Sequence, residues 1–321
     1  MKQNKEQDED SASWDYAQVW KLFPIPAKPC TKELEFLEKQ MKNKVNNSSN
    51  ILILGTTNRY RSLANKLNIK SHVADFSREN FESLTEHSKE KFSNEEFTEI
   101  DWLEINDKNK FDFIVGHRAI NVIGKPHIER LFTGMCKALK SGGVFFCRGN
   151  VKFSNPVDKL DIIRDKHTFK KDRKEKLFTY LEVELYIKCS DEDGYIDYPK
   201  CRELIRSWLD KRKITQEDYE LIKPLISMSD DARFRTVERK EIVDAFEKSG
   251  FSKIELLFTA SPTDLLSFQR FSFSELLSAR RISPQSNLSI TDAIFSQSEY
   301  KRSISFPSTS ISKWAFVSSE I

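Results

Sequence analysis

The sequence predicts a three-layer α/β/α domain on a mostly parallel sheet, with a helical insertion. Three observations carry that prediction. Short apolar runs alternate with amphipathic helical patterns five times between about residues 51 and 150. The clearest helix, IERLFTGMCKALK, stops at Ser141-Gly142-Gly143 and runs straight into the apolar VFFCRG. After Asn150 the alternation gives way to charged helical sequence up to about residue 233, then resumes. A chain of 321 residues matches about two domains of ordinary size, or one domain with insertions. It is long enough to bury a core without disulfide or metal staples.

Residues 1–12 are polar and net acidic, and are expected to form a disordered, frayed tail. Aromatic residues return at Trp14, Tyr16, Trp20 and Phe23. A Pro-punctuated lead then enters a helix over TKELEFLEKQM, with Thr31 as its expected N-cap and Glu33 and Glu35 in its first turns. ILILG (51–55) reads as a buried parallel strand ending on glycine. In the TTNRYRSLANKL that follows, Tyr60, Leu63, Ala64 and Leu67 share a face at i, i+3, i+4 and i+7. That spacing predicts a helix capped by Thr or Asn. SHVADF is a second strand, SRENFESLTEHS a second helix, FTEIDW a third strand and FDFIVG (111–116) a fourth. In the next helix Ile128, Leu131, Phe132, Met135 and Leu139 share a face, and Cys136 and Cys147 read as small core residues. The 151–233 stretch is mostly helical, through LDIIRDKHTFKKDRKEKLF, PKCRELIRSWLDKRK and TQEDYELIKPLI; the basic KKDRKEK reads as a solvated face. TVERKEIVDAFEKSGF predicts a helix capped by Thr236 and ended by Gly250, and SKIELLFT a sixth strand. A Ser-rich stretch with a helix near 264–280 follows, and SKWAFVSS closes the chain as an edge strand.

Composition excludes several classes. The chain is 38% hydrophobic and 31% charged, too apolar for a disordered protein and too charged for a membrane protein. No run of about 18 apolar residues occurs, and the first residues carry no apolar signal-peptide core. Lys plus Arg is 52 against 49 for Asp plus Glu, so the net charge of +3 gives no clear nucleic-acid signal. The five cysteines are scattered without metal-ligand spacing, which points to reduced thiols in the cytoplasm and away from a zinc site. Glycine is scarce, 9 in 321, and neither GxxxxGK[ST] nor GxGxxG occurs, so the sequence signals for phosphate-cradling loops are missing.

In an open parallel sheet, ligands bind outside the carboxyl ends of the strands. Here those ends carry Gly55, Thr56 and Thr57, then Asp75, Phe76 and Ser77, then Asp101 and Trp102, then Gly116, His117 and Arg118, and finally Arg148. The set suits a nucleoside with a charged tail and no phosphate. A carboxylate at the second strand end can accept both ribose hydroxyls, a second carboxylate an adenine amino proton, and an aromatic can stack on the base.

At this point the chain resembles the class I S-adenosylmethionine-dependent methyltransferases, over about Ile51 to Asn150 with weaker echoes in 234–259 and 313–319. ILILG, VADFS, EIDWL, FDFIVG and ALKSGGVFF carry the resemblance. The first loop departs from the family's Gly-x-Gly-x-Gly. LGTTNRYR resembles instead a branch with Leu-Gly-x-Thr-Pro-x-x-Arg, with Asn58 at the Pro and Arg61 at the Arg, where Thr hydroxyls and an Arg replace glycine amides as cofactor contacts. GHRAINVIG resembles that branch's Gly-Asp-Gly-x-x-Asn, and FPIPAKPCTKELEF its Pro-rich lead-in.

The resemblance implies a Rossmann-like methyltransferase fold, a seven-stranded mostly parallel sheet with an antiparallel last strand. It implies S-adenosylmethionine bound by Gly55, Thr56, Thr57, Asn58, Asp75, Phe76, Ser77, Asp101, Trp102, Gly116, His117 and Arg118. The expected organisation is an N-terminal helical segment or lid over 13–45, a cofactor-binding core over 46–150, a substrate cap over 151–233, and the rest of the core with a Ser-rich insertion over 234–321. Tyr16 and Trp20 are candidates to cover the site, with core packing as the alternative. Arg148 pairs either with a substrate anion or with a nearby acid. His117 is a candidate base, although methyl transfer does not demand one, and a polar lining residue is the preferred reading. The acceptor is expected to be a small molecule, the methyl passing in line to an O, N or C nucleophile. The rival readings are a catalytically inactive interaction protein of the same fold and a protein or RNA methyltransferase.

Overall fold

The computed structural model of the chain describes residues 28–44, 46, 48–88, 90–152, 173–228, 230, 232–258, 275–281 and 316–319. An N-terminal helix, α1 (Thr31–Lys42), precedes an alternating series: β1 (Asn50–Leu54), α2 (Asn58–Lys66), β2 (Lys70–Asp75), α3 (Arg78–Glu86) and β3 (Glu95–Glu99). β4 (Phe111–His117), a short α4 (Ala119–Val122), α5 (Ile128–Ala138) and β5 (Leu139–Gly149) follow. Three helices come next, α6 (Arg173–Cys189), α7 (Tyr198–Asp210) and α8 (Gln216–Ile226). The chain returns to the sheet through α9 (Arg239–Lys248), β6 (Phe251–Phe258), β7 (Glu275–Arg281) and β8 (Phe316–Ser319).

The strands lie in the order β3-β2-β1-β4-β5-β7-β6-β8. The first five, β1 to β5, are mutually parallel. β7 is antiparallel to both β5 and β6, and β8 pairs antiparallel with the outer side of β6. Where the resemblance implies seven strands, the described residues carry eight, the short β8 pairing an edge that β6 would otherwise leave open.

Ile51, Leu52, Ile53 and Leu54 of β1 are all at most 3% exposed, because helices cover both faces. Successive side chains point to opposite faces. Leu52 and Leu54 therefore join Ile114 and Phe145 in one core layer with residues of α5 and α9, while Ile51 and Ile53 join Phe113 and Phe146 in a second layer with α1 and α2. Phe132 of α5 and Phe246 of α9 stack at 4.0 Å between ring centroids in the first layer. Each such burial contributes about 1.5–3 kcal/mol. A separate cluster, with Phe178, Leu181, Leu185, Ile205, Trp208 and Ile222, holds α6, α7 and α8 together, and Leu84 of α3 joins it.

Several boundaries differ from the expectation. The N-cap of α1 is Cys30, and Thr31 is its first helical residue. The N-cap of α2 is a Thr as expected, Thr57, but it caps without a side-chain bond. β3 ends at Glu99, so Asp101 caps a short turn of 3-10 helix, Trp102–Glu104, instead of closing a strand. α5 stops at Ala138, three residues before Ser141. Thr236 caps no helix: its amide donates to Gly194 O (2.9 Å), the next residue bridges to Val151, and α9 begins at Arg239 after an N-cap at Glu238. The helix expected near 264–280 is a strand over Glu275–Arg281; the rest of that span lies outside the described residues. ELLSARR has helical propensity, but ladders with β5 and β6 on either side override it. No helix among the described residues is long and apolar enough to cross a membrane.

Candidate functional site

The carboxyl ends of β2, β1, β4 and β5 lie side by side in the sheet, beside the turn that follows β3. Three clusters form there.

The first joins the ends of β1 and β2. Gly55 leaves β1 at φ +80°, a conformation that favours glycine, and a Cβ there would sit 3.3 Å from the Trp102 ring. The Gly55 amide and the Trp102 indole N–H both donate to Ala74 O, at 2.8 and 2.7 Å. Asp75 is 6% exposed. Its Oδ2 accepts from the Thr56 amide (2.9 Å) and the Thr56 hydroxyl (2.8 Å), and its Oδ1 from the Ser77 amide (3.2 Å). Burial pushes the Asp75 carboxyl above its ordinary range, against the pull of the bonds from Thr56 and Ser77. Phe76 is 48% exposed, and Asp101 is exposed while accepting from the Leu103 amide (2.9 Å). Ser77 caps α3 through the Asn80 amide.

The second cluster lies at the ends of β4 and β5, under α1. Glu33, Leu37 and Met41 follow at i, i+4 and i+8, so the same stripe that buries two apolar residues also buries Glu33, at 1% exposure. Its carboxylate accepts from Tyr60 Oη (2.5 Å) and Arg148 Nη1 (3.2 Å), with His117 Nδ1 at 3.9 Å. Burial alone would raise the Glu33 pKa. The Arg148 guanidinium, with His117 and Tyr60, outweighs that and holds it at about 2. The His117 side chain is 2% exposed, and burial lowers its pKa, with Arg148 and Arg118 adding to the effect against Glu33, so the ring is neutral at pH 7. Burial likewise pushes the neighbouring Cys147 thiol up to about 12, in keeping with a core residue.

The third cluster ties the sheet to the helical segment. Arg118 sits at φ +58°, a left-handed conformation uncommon for a non-glycine residue. Its guanidinium reaches Glu182 of α6 at 2.8 and 3.3 Å, and Tyr186 donates to the same carboxylate at 3.0 Å. Asn121, fully buried, accepts from the Asn150 amide (2.9 Å) and donates to Asn150 O (2.9 Å) and Arg235 O (2.7 Å).

The structure thus gathers Gly55, Thr56, Asp75, Ser77 and Trp102 at one corner and His117 and Arg148 at another. Of the two partners open to Arg148, it supplies the nearby acid, Glu33. Thr57 is buried, and the Asn58 side chain is committed to Leu84 O (2.6 Å) and to Arg61 (2.7 Å). Arg61, implied by the resemblance as a cofactor contact, is instead a fully buried cation paired with Glu95 at 2.6 and 2.8 Å. Gly116 abuts Ala119, where a Cβ would meet the Ala119 Cβ at 2.9 Å. Tyr16 and Trp20 lie outside the described residues. Sequence reasoning missed Glu33 and Glu182 as site-forming groups. The available signal was a Glu on an otherwise apolar i, i+4 stripe, with Leu37 and Met41 in one case and Phe178 and Tyr186 in the other.

No family profile matches the chain, and no curated protein does. Among solved structures, a Rhodobacter sphaeroides protein described as a Zn-dependent alcohol dehydrogenase superposes with a TM-score of 0.50 at 16% identity, over 84% of this chain and all of that one. A SAM-dependent methyltransferase from Methanosarcina mazei gives a TM-score of 0.45 at 13% identity, over 76% of this chain and 97% of that one. The geranyl diphosphate C-methyltransferase of Streptomyces coelicolor, solved with S-adenosyl-L-homocysteine, gives 0.44 at 11%, over 78% and 80%. At such identities the likeness is one of fold alone: a Rossmann-like parallel sheet flanked by helices.

Proposed function

We propose that the chain is an S-adenosylmethionine-dependent methyltransferase acting on a small-molecule acceptor. The observation that carries the reading is the corner where β1, β2 and the turn after β3 end together. There a buried strand-end carboxylate, Asp75, stands beside a half-exposed ring, Phe76, and an exposed carboxylate, Asp101. These groups fit the nucleoside half of the cofactor: acceptors for ribose hydroxyls and an amino proton, and a face for the base. In this reading Gly55–Asn58, Asp75–Ser77, Asp101–Trp102 and Gly116–Arg118 form the cofactor site within a 46–150 core. Trp102 supports the Gly55 loop from behind, and Phe76 offers the stacking face. Segment 151–233 caps the acceptor, 13–45 is the lid, and 234–321 completes the core.

S-adenosylmethionine supplies a sulfonium methyl that is already electrophilic. The chain's own residues bind, orient and exclude water. His117, neutral and buried, is a wall of the site rather than a base. Arg148, neutralised by Glu33, is left out of acceptor binding.

Titration calorimetry with S-adenosylmethionine and then S-adenosylhomocysteine tests the reading. Micromolar binding of both supports it. Asp75→Ala then weakens binding more than tenfold, on the order of 1.4 kcal/mol or more. Absence of both heat and thermal stabilisation overturns it. One observation favours a second reading, a protein of this fold that binds no cofactor: Asp75 Oδ2 already accepts the Thr56 amide and hydroxyl from within the chain.

A further inference from the structure

An ionised carboxylate offers about four lone-pair sites. Asp75 receives the Thr56 amide and the Thr56 hydroxyl on Oδ2 and the Ser77 amide on Oδ1. The two ribose hydroxyls need two acceptors on it, and only one, on Oδ1, is vacant. Two of the three donors are backbone amides whose departure would move the chain. The third, the Thr56 hydroxyl, swings away by rotation about χ1 alone. Its bond is also redundant for holding the loop. The Thr56 amide already binds the same oxygen at 2.9 Å, and the Gly55 amide binds Ala74 O at 2.8 Å.

We propose that the Thr56 hydroxyl is a built-in competitor for the ribose of the cofactor: it occupies the Asp75 acceptor site in the free protein and must release it on binding. The inference rests on the methyltransferase reading above and adds a regulation of the same site. Thr56 acts as a positioning residue that sets cofactor affinity by holding Asp75 Oδ2. A purely structural threonine would weaken binding when removed; a competitor strengthens it.

The test is calorimetry of the full chain with S-adenosylhomocysteine. Thr56→Val keeps the side-chain shape and deletes the donor. A hydrogen bond to a charged group is worth about 1.5–3 kcal/mol, so the variant binds about tenfold tighter or more than the parent. Thr56→Ser, which keeps the hydroxyl, restores the parent affinity. In an Asp75→Asn background Thr56→Val brings no such gain. Thr56→Ala serves if the valine variant does not fold. Equal or weaker binding by Thr56→Val, with the parent still binding, overturns the competitor and leaves the methyltransferase reading standing. No binding by parent or variant overturns that reading and the competitor with it.

Discussion

The buried ion pair beneath α1 makes the sharpest prediction about stability. Glu33→Gln keeps the shape of the side chain and removes its charge. Arg148, whose side chain is 4% exposed, is then left with Lys28 O (3.2 Å) and a neutral amide. Removing one partner of a buried pair costs about 3–5 kcal/mol. Linkage gives a similar figure: a carboxyl held at about 2 against an ordinary 4.5 corresponds to roughly 3 kcal/mol of native-state stabilisation. The sign follows from the depressed value. The contribution is fully present above the unfolded pKa and is lost as pH falls from about 4.5 toward 2. Urea unfolding at pH 7 should place Glu33→Gln about 3 kcal/mol below the parent. Between pH 5 and 2 the parent should lose a component of stability that the variant never had. Glu33→Leu combined with Arg148→Met should recover part of the loss, because no unpaired charge remains while the buried Tyr60 hydroxyl still loses its acceptor. A deficit under about 1 kcal/mol at pH 7, or the same acid limb in parent and variant, would refute the pairing.

Three further outcomes follow from named contacts. Arg61→Met leaves Glu95 buried without its guanidinium and should cost about 3–5 kcal/mol by urea unfolding, with Glu95→Gln comparable and the double variant less than additive. Gly194 sits at φ +88° with a would-be Cβ 2.3 Å from Thr236 O, so Gly194→Ala should lower stability by at least about 2 kcal/mol, read as a fall in the urea midpoint. Glu182→Gln weakens the hold of α6 on the left-handed Arg118 turn. Hydrogen exchange over 177–189 should speed up while that of β1 amides stays slow; uniform protection in the variant would count against the tether.

Residues 51–150 illustrate what local pattern determines. ILIL, HVAD and FDFIVG are strands largely buried on both faces, and the IERLFTGMCKAL stripe is a helix because its apolar residues return every three or four positions. The strand-end residues were legible for the same reason. Once a parallel sheet is predicted, the residue after each strand is at the ligand-binding end. Gly55, Asp75 and Trp102 do come together there.

The partners of those side chains come from long-range contacts. Glu33 and Arg148 lie 115 residues apart, Arg118 and Glu182 64, and Arg61 and Glu95 34. Nothing in local period encodes which charges meet across such distances. The same holds for ELLSARR, helical by propensity and a strand by virtue of the two strands flanking it. It holds too for Trp102, an expected stacking surface whose N–H is consumed by Ala74 O. Over residues 51–150 the sequence alone sets the order of elements and the sheet end at which the candidate residues gather, because periodicity and strand burial are local. The structure decided which polar groups are already satisfied within the chain and which still face solvent, because buried charges and donors pair with whatever the fold brings beside them.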